Sequence, residues 1–448
     1  MLFSMRFSLF SSGALTAKPY AFLARPWELQ SRSLLDPLDS LGTPIRLDLR
    51  GFVPMRLLPR LDPGNPLGEW ISDRTRFSYD GFRRQRLATP LFRPVLSLLP
   101  LVPISWQCSL DALATILRAG PPTLVAGPLL SFGAFWVQQQ LGASLGLRPL
   151  AVLPQPSPPL AASDLAQCDL VLLAGCDLRL RLPLLYLRVR RLGLAGVPLV
   201  RWGVPGTVGL SLGHRPGILL RLVQGRHRAS PLLATARSPL ILVGEVPFSV
   251  LLLLESRYSG SIRSAAFSPL APSASFLAGS PLLLPPALAS PSPLWLLGAD
   301  GWDWSRSVPA VIYQGHHGDR AASRASLVLP SRFSLEELDS RRDLWGTVHS
   351  PGSLPPNPPL PAALQLLTAA GLLLDPPVLF STPPRSWLAG LVPRLVFPLL
   401  APLCLGGSPF YPVPANPYRL DVVSRSSRPL ALAAIRLVSL APNYPIFP

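Results

Sequence analysis

The 448-residue chain has almost no lysine: Lys18 stands alone, so the other 40 of its 41 basic residues are arginine, set against 23 acidic ones. Cysteine and methionine are scarce too, at four and three. Cys108, Cys168, Cys176 and Cys404 lack the close pairs that tetrahedral zinc or iron–sulphur sites use, and they are too few for a disulfide framework in a chain this long. They read as buried thiols. Cys168 and Cys176 flank DLVLLAG, a strand-like run that would hold them at opposite ends, so they cannot share one ion. No glycine loop ends in Lys-Ser or Lys-Thr and no GxGxxG follows an apolar run, which excludes P-loop chemistry and a Rossmann fingerprint. Mean hydropathy is +0.35, yet no uninterrupted run reaches the roughly 20 apolar residues that cross a bilayer. Residues 239–255 are broken by Glu245 and Pro247, and residues 391–405 by Arg394, Pro393, Pro398 and Pro402. Both stretches read as buried elements, and no membrane span is expected.

Other residues are abundant. Proline numbers 57, where average usage would give roughly 22. Leu, Arg, Pro, Ser and Ala are raised together along the whole chain, although they do different physical work. A coding bias explains that better than one selected chemistry. The net charge of +18 would ordinarily suggest phosphate neutralisation, but the arginines are scattered between apolar residues and form no basic patch interleaved with aromatics. Nucleic acid is therefore not expected as a partner. Residues 1–19 combine Arg6, Lys18, early serines and no acid, which resembles an organelle transit peptide. A retained segment of that kind favours synthesis inside the organelle.

From Pro121 onward, short apolar runs ending in Gly or another small residue alternate with helix-like stretches. The runs are PTLVAG (122–127), DLVLLAG (169–175), VPLVRWG (197–203), SPLILVGE (238–245), LWLLGAD (294–300), AVIYQG (310–315) and ASLVLPS (325–331). Such runs fit strands buried on both faces, and the intervening 180–196 and 333–345 fit helices, which predicts α/β architecture with doubly wound parallel sheets. Residues 1–100 read as an N-terminal stub and a small β-rich cap in which 44–51 and 53–60 form a hairpin. Residues 101–350 form the α/β region, and 351–448 a Pro-rich linker and a C-terminal segment. There, 361–374 predicts one helix ending near Gly371, and the last 70 or so residues, having no strong period, predict extended chain on the surface.

Two motifs invite chemistry. Gly209-Leu210-Ser211-Leu212-Gly213 has the GxSxG spacing, with His214 next, but the flanking VPGTV and Arg215-Pro216-Gly217 do not supply the strand-to-helix turn that a nucleophile needs. A glycine loop is the plainer reading. His316-His317-Gly318-Asp319 follows an apolar run, where α/β ligands gather. Adjacent imidazoles tend to point apart and no third ligand is near, so hydrogen bonding to backbone is expected over metal binding. No residue is assigned as catalytic, cofactor-binding or metal-ligating.

The runs GALTAKPYAFLARPWELQS (13–31), EWISDRTRFSYDGFRRQRL (69–87), CDLVLLAGCDLRLRLPLLYLRVRR (168–191), LLGADG (296–301) through IYQGHHGD (312–319), and ASLVLPS (325–331) resemble, in order, the large iron–sulphur subunit of respiratory complex I, the 75 kDa type. The likeness spans about residues 13–350. It implies a molybdopterin-oxidoreductase-like fold without molybdenum cofactor, serving as a non-catalytic scaffold in the NADH-oxidising module. The active alternative is a formate dehydrogenase-like enzyme; an organellar RNA-binding protein is a more remote one. The family's last cluster cysteine falls at Phe10, and the stretch after Ala325 departs from the family into LWGTVHS. The resemblance thus implies the C-terminal piece of a split subunit that binds no cofactor itself. Iron–sulphur clusters would sit on a separate N-terminal fragment, with a flavin-containing subunit and other peripheral-arm subunits as further partners. The expected place is the mitochondrion, on the matrix side of the inner membrane. Tyr20, Phe22, Arg25, Trp27 and Glu28 are the expected contact, because aromatic and arginine anchors are typical of interfaces.

Overall fold

A computed structural model describes residues 2–4, 19–39, 41–61, 70–93, 100–120, 122–127, 129–144, 162–174, 178–203, 209–213, 216–243, 263–266, 293–299, 310–337, 341–342, 348–349, 354, 359–373 and 416–440. The cap begins with β1 (Leu2–Ser4), followed by β2 (Gln30–Leu35), β3 (Pro44–Arg50), β4 (Val53–Pro59), β5 (Trp70–Ser72) and the short helix α1 (Asp73–Arg76). Strands β2-β3-β4 form an antiparallel sheet, and β1 pairs antiparallel with β5. The expected hairpin is β3–β4, turning at Gly51 with φ +61°. Alternation sets its two faces. Leu34, Ile45, Leu47, Leu49 and Leu57 point into a core shared with Ile71, Tyr79 and Phe82, while Asp48 lies on the other face under Arg46 (2.8 Å) and Arg56 (2.7 Å).

The expected runs become strands of two layered sheets. β6 (Leu91–Phe92), β7 (Val102–Pro103), α2 (Trp106–Ala119), β8 (Thr123–Ala126) and α3 (Phe132–Ser144) open the first. The second follows with α4 (Ala162–Gln167), β9 (Leu170–Ala174), α5 (Leu178–Arg181), α6 (Pro183–Leu194), β10 (Leu199–Trp202), β11 (Leu210–Ser211), α7 (Pro216–Val223), α8 (Ser230–Thr235), β12 (Pro239–Val243) and β13 (Arg263–Ala266). Its order is β11-β10-β9-β12-β13, all parallel, with every residue of β9 buried. The chain then returns to the first sheet through β14 (Leu294–Leu297), β15 (Val311–Gly315), α9 (Arg320–Arg324) and β16 (Leu327–Pro330). That sheet runs β7-β6-β16-β15-β14-β8; its four longer strands are parallel, and β6 and β7 are antiparallel. α3 and α10 (Ala363–Leu372) cover one face, packing Val137, Leu141, Leu366 and Leu367 on Trp295, Leu297 and Ile312. Each such side chain contributes about 1.5–3 kcal/mol by leaving water.

Three expectations change. The described residues of 333–345 do not form the expected helix: 334–336 are a turn, and Arg341–Arg342 is a short strand paired with Val348–His349. Tertiary bonds claim the glutamates, since Glu336 pairs with Arg86 at 2.6 Å and Glu337 accepts from the Ala363 N–H at 2.9 Å. Within the Pro-rich stretch, Leu354 and Leu360 are buried and the Leu354 N–H donates to Leu335 O (2.8 Å), so its described residues are packed and not a free linker. The described residues of the last 70 or so are not extended surface chain either. Residues 416–440 hold α11 (Val422–Ser426) and α12 (Arg428–Leu440), and Val423 enters the cap core. Asp421 caps α11 by accepting from the Ser424 N–H at 2.7 Å.

Candidate functional site

Of the expected contact, the hairpin holds Tyr20 and Glu28. The Arg56 guanidinium lies 4.7 Å over the Tyr20 ring, and the Tyr20 hydroxyl donates to Ala24 O at 3.3 Å. Arg50 donates to Leu23 O (3.0 Å) and faces Glu28 at 3.7 Å. Arg25 lies 5.3 Å over the Trp27 ring. The apolar tips remain outside: Phe22, at φ +63°, is fully exposed and Trp27 is 75% exposed. The structure adds Leu23 and Phe52, both exposed, which the sequence reading missed. Phe52 had a signal, an aromatic beside the turn glycine of a hairpin.

Behind the hairpin lies a buried polar centre that the sequence reading also missed. Asp36 accepts from the Leu38 N–H (2.9 Å) and the Thr75 hydroxyl; Asp39 accepts from the Leu41 N–H (2.9 Å) and the Thr43 hydroxyl (3.5 Å). Arg74, also buried, donates to Leu38 O. Burial raises the Asp36 carboxyl, and burial together with the neighbouring Asp36 charge raises Asp39 to about 7. Burial opposes ionisation of Asp48 as well, but hydrogen bonds from Arg46, Arg56 and Ser31 outweigh it and hold that carboxyl low.

The His316–His317 pair sits where the sequence placed it, at the C-terminal end of β15, buried. His317 Nε2 lies 2.8 Å from Gly81 O, which can only accept, so Nε2 carries the proton and Nδ1 accepts from His316 Nδ1. Burial lowers both imidazoles, His317 to about 3. Arg86 pairs with Glu336 at 2.6 Å beside Phe333, whose ring is edge-on to His316 at 4.8 Å. Only His317 bonds backbone; the His316 ring bonds the His317 ring, so the imidazoles converge where the sequence reading expected them to point apart. Among the described residues no three His, Cys, Asp or Glu side chains converge as metal ligands. Ser211 lies exposed on β11, and His214 is outside the described residues. Cys108 is exposed, Cys168 buried; Cys176 and Cys404 are also outside the described residues. No helix among the described residues is long and apolar enough to cross a membrane.

Residues 30–80, the sheet and polar centre just described, match the family model of the NADH-ubiquinone oxidoreductase NDSU1/NuoG-like 4Fe-4S domain. The chain is 32% identical over 386 residues to the mitochondrial NADH-ubiquinone oxidoreductase 78 kDa subunit of Neurospora crassa, covering 75% of this chain and 50% of that protein. It is 30% identical over 393 residues to the NADH-ubiquinone oxidoreductase 75 kDa subunit of Reclinomonas americana, covering 75% and 56%. The mitochondrial NADH dehydrogenase (ubiquinone) iron-sulfur protein 1 of Solanum tuberosum is 31% identical over 359 residues, covering 72% and 48%. The chain belongs to this family of complex I subunits. It spans about half the length of the curated relatives it matches.

The family match corrects one expectation. The sequence reading placed no cofactor on this chain, whereas a 4Fe-4S domain match at residues 30–80 indicates that the chain itself can bind an iron–sulphur cluster. The side chains of that segment do not fit a thiolate-held cluster: it contains no cysteine, and its converging carboxylates, Asp36 and Asp39, are engaged by Thr75, Thr43 and backbone N–H groups. No electron-transfer step is routed through these residues.

Proposed function

We propose that the chain is an architectural subunit of the NADH-oxidising module of complex I, supporting electron transfer from NADH to ubiquinone. One observation carries the reading: about 30% identity maintained over three quarters of the chain. The parallel sheets with helices on their faces support a doubly wound, molybdopterin-oxidoreductase-like arrangement, organised as a cap (1–100), an α/β region (101–350) and a C-terminal segment (351–448). Tyr20, Phe22, Arg25, Trp27 and Glu28 form the proposed contact with neighbouring peripheral-arm subunits, among them a cluster-bearing polypeptide and the flavin-containing subunit. The setting is the matrix side of the mitochondrial inner membrane, with the chain encoded in the organelle.

The test is affinity isolation of the chain from organelle membranes, with mass spectrometry of its companions and iron and molybdenum analysis. Flavin- and cluster-bearing complex I subunits without molybdenum are expected. Stoichiometric molybdenum would instead support a molybdopterin oxidoreductase. Companions drawn from the ribosome, with no complex I subunits, would also overturn the proposal.

A further inference from the structure

The outer strand of the cap sheet is β2, which pairs with β3 and, among the described residues, with nothing on its other side. The register shows which groups are free. Asp36 N–H donates to Thr43 O (2.9 Å), so Leu34, Arg32 and Gln30 occupy the hydrogen-bonded positions opposite β3. The N–H and C=O groups of Ser31 and Ser33 then face outward, and residues 30–33 are exposed. Proteins ordinarily protect such an edge.

Two further features lie beside this edge. Phe22, Leu23 and Trp27 precede β2, and the bond from Arg50 to Leu23 O brings them to the tip of the β3–β4 hairpin, where Phe52 is exposed. The local charge is positive: Arg25, Arg32, Arg46, Arg50 and Arg56 stand against Glu28 and Asp48, and Asp48 is buried and already bonded to two of them. Open strand edge, aromatic anchors and excess cations are the elements of recognition by strand addition. A second copy of this chain would bring Arg25 and Arg32 against their own counterparts, under a net charge of +18 on each molecule.

We infer that β2 is a docking edge for an extended, acidic segment of a different polypeptide, which continues the cap sheet and buries Trp27 and Phe52. The inference deepens the proposed contact and rests on the assembly reading only for where the partner is found. Its experiment compares residue-level amide exchange of the chain within its isolated native assembly and alone, and measures incorporation of variants into that assembly. The Ser31 and Ser33 amides are expected to exchange at least tenfold more slowly in the assembly. Ser33→Pro removes an outward N–H without breaking the β2–β3 ladder, and should cut incorporation at least fivefold. Arg32→Glu and Trp27→Ser, both at exposed side chains, should do the same with unchanged melting temperature, which keeps the test decisive if Ser33→Pro misfolds. Leu194→Ser, at an exposed residue at the end of α6, is the unaffected control. Unchanged exchange and incorporation would overturn the inference even if complex I subunits co-purify. Concentration-dependent protection of the chain alone would overturn it in favour of self-association. Protection in an assembly without complex I subunits would uphold the docking edge and remove the assembly reading.

Discussion

Asp39 shows how a single residue sets a pH dependence. Its carboxyl ionises near 3.8 in an unfolded chain and about 7 in the folded cap, raised first by burial and then by the Asp36 charge. Between those values the folded state holds a proton that the unfolded state has released. Stability is therefore greatest toward the acidic end of the window, falls as pH rises from about 4 to 7, and levels off above it. Asp39→Asn removes the charge and keeps an oxygen for the Leu41 N–H; its amide can only donate to the Thr43 oxygen, so the weaker 3.5 Å bond reverses direction. At pH 8 the variant should melt roughly 3–6 °C higher than the parent chain, and the gain should shrink as pH approaches 4; thermal melts across pH check this, and a pH-independent gain would rule the mechanism out. This centre was not legible in the sequence, where Asp36 and Asp39 are loop carboxylates like any others. Their partner Thr75 lies 39 residues away from Asp36, a juxtaposition that no local pattern announces. His316-His317 was legible in part: backbone bonding was expected and His317 does it, but the bond between the two rings was not foreseen. Nor was the acceptor of His317, Gly81 O, being 236 residues distant.

Among elements, the buried strands were the most legible because continuous apolar runs have few other places to go. The sequence reading correctly placed β8, β9, β10, β12, β14, β15 and β16, and also the β3–β4 hairpin. The 333–345 helix failed because helix-forming glutamates were taken up by distant partners, Arg86 and the Ala363 N–H. α12 was missed because the fully buried residues described on it are Leu430 and Ala434, a stripe too short for a strong period. The ends of β8 and β14 offer the sharpest test at this scale. A Cβ on Gly127 would stand 2.0 Å from Gly298 O and 2.7 Å from Ala299 N, both backbone atoms that cannot swing aside. Gly127→Ala should therefore cost about 3 kcal/mol by forcing two paired strand ends apart. Urea unfolding measures this, and a loss under about 1 kcal/mol would show that the strand ends separate freely.

At the scale of the whole molecule, the cap is completed by the far end of the chain. Val423 fills its core, Ser427 donates to Asp80 at 2.6 Å, Ser426 donates to Gly81 O at 3.1 Å, and Arg425 meets Asp319 at 2.7 Å. These bonds tie residues 416–440 both to the cap and to the loop after β15. Gly81 fits this seam because a Cβ there would lie 2.3 Å from Val423 O. The second sheet takes no part: its core on β9, β10 and β12 draws on α4, α5 and α6, with Leu41 and the partly buried Trp70 the cap's described contributions. Removing residues 416–448 should consequently loosen one half of the molecule and spare the other. Loss of Val423 leaves a cavity against Tyr79 and Phe82, and loss of Ser426 and Ser427 strips donors from Gly81 O and Asp80. Amide exchange is expected to accelerate at least tenfold in β3 and β4 while β9, β10 and β12 keep their protection. Uniform acceleration would mean that the cap and the second sheet unfold as one cooperative unit, and unchanged exchange in β3 and β4 would mean that the cap core closes without Val423.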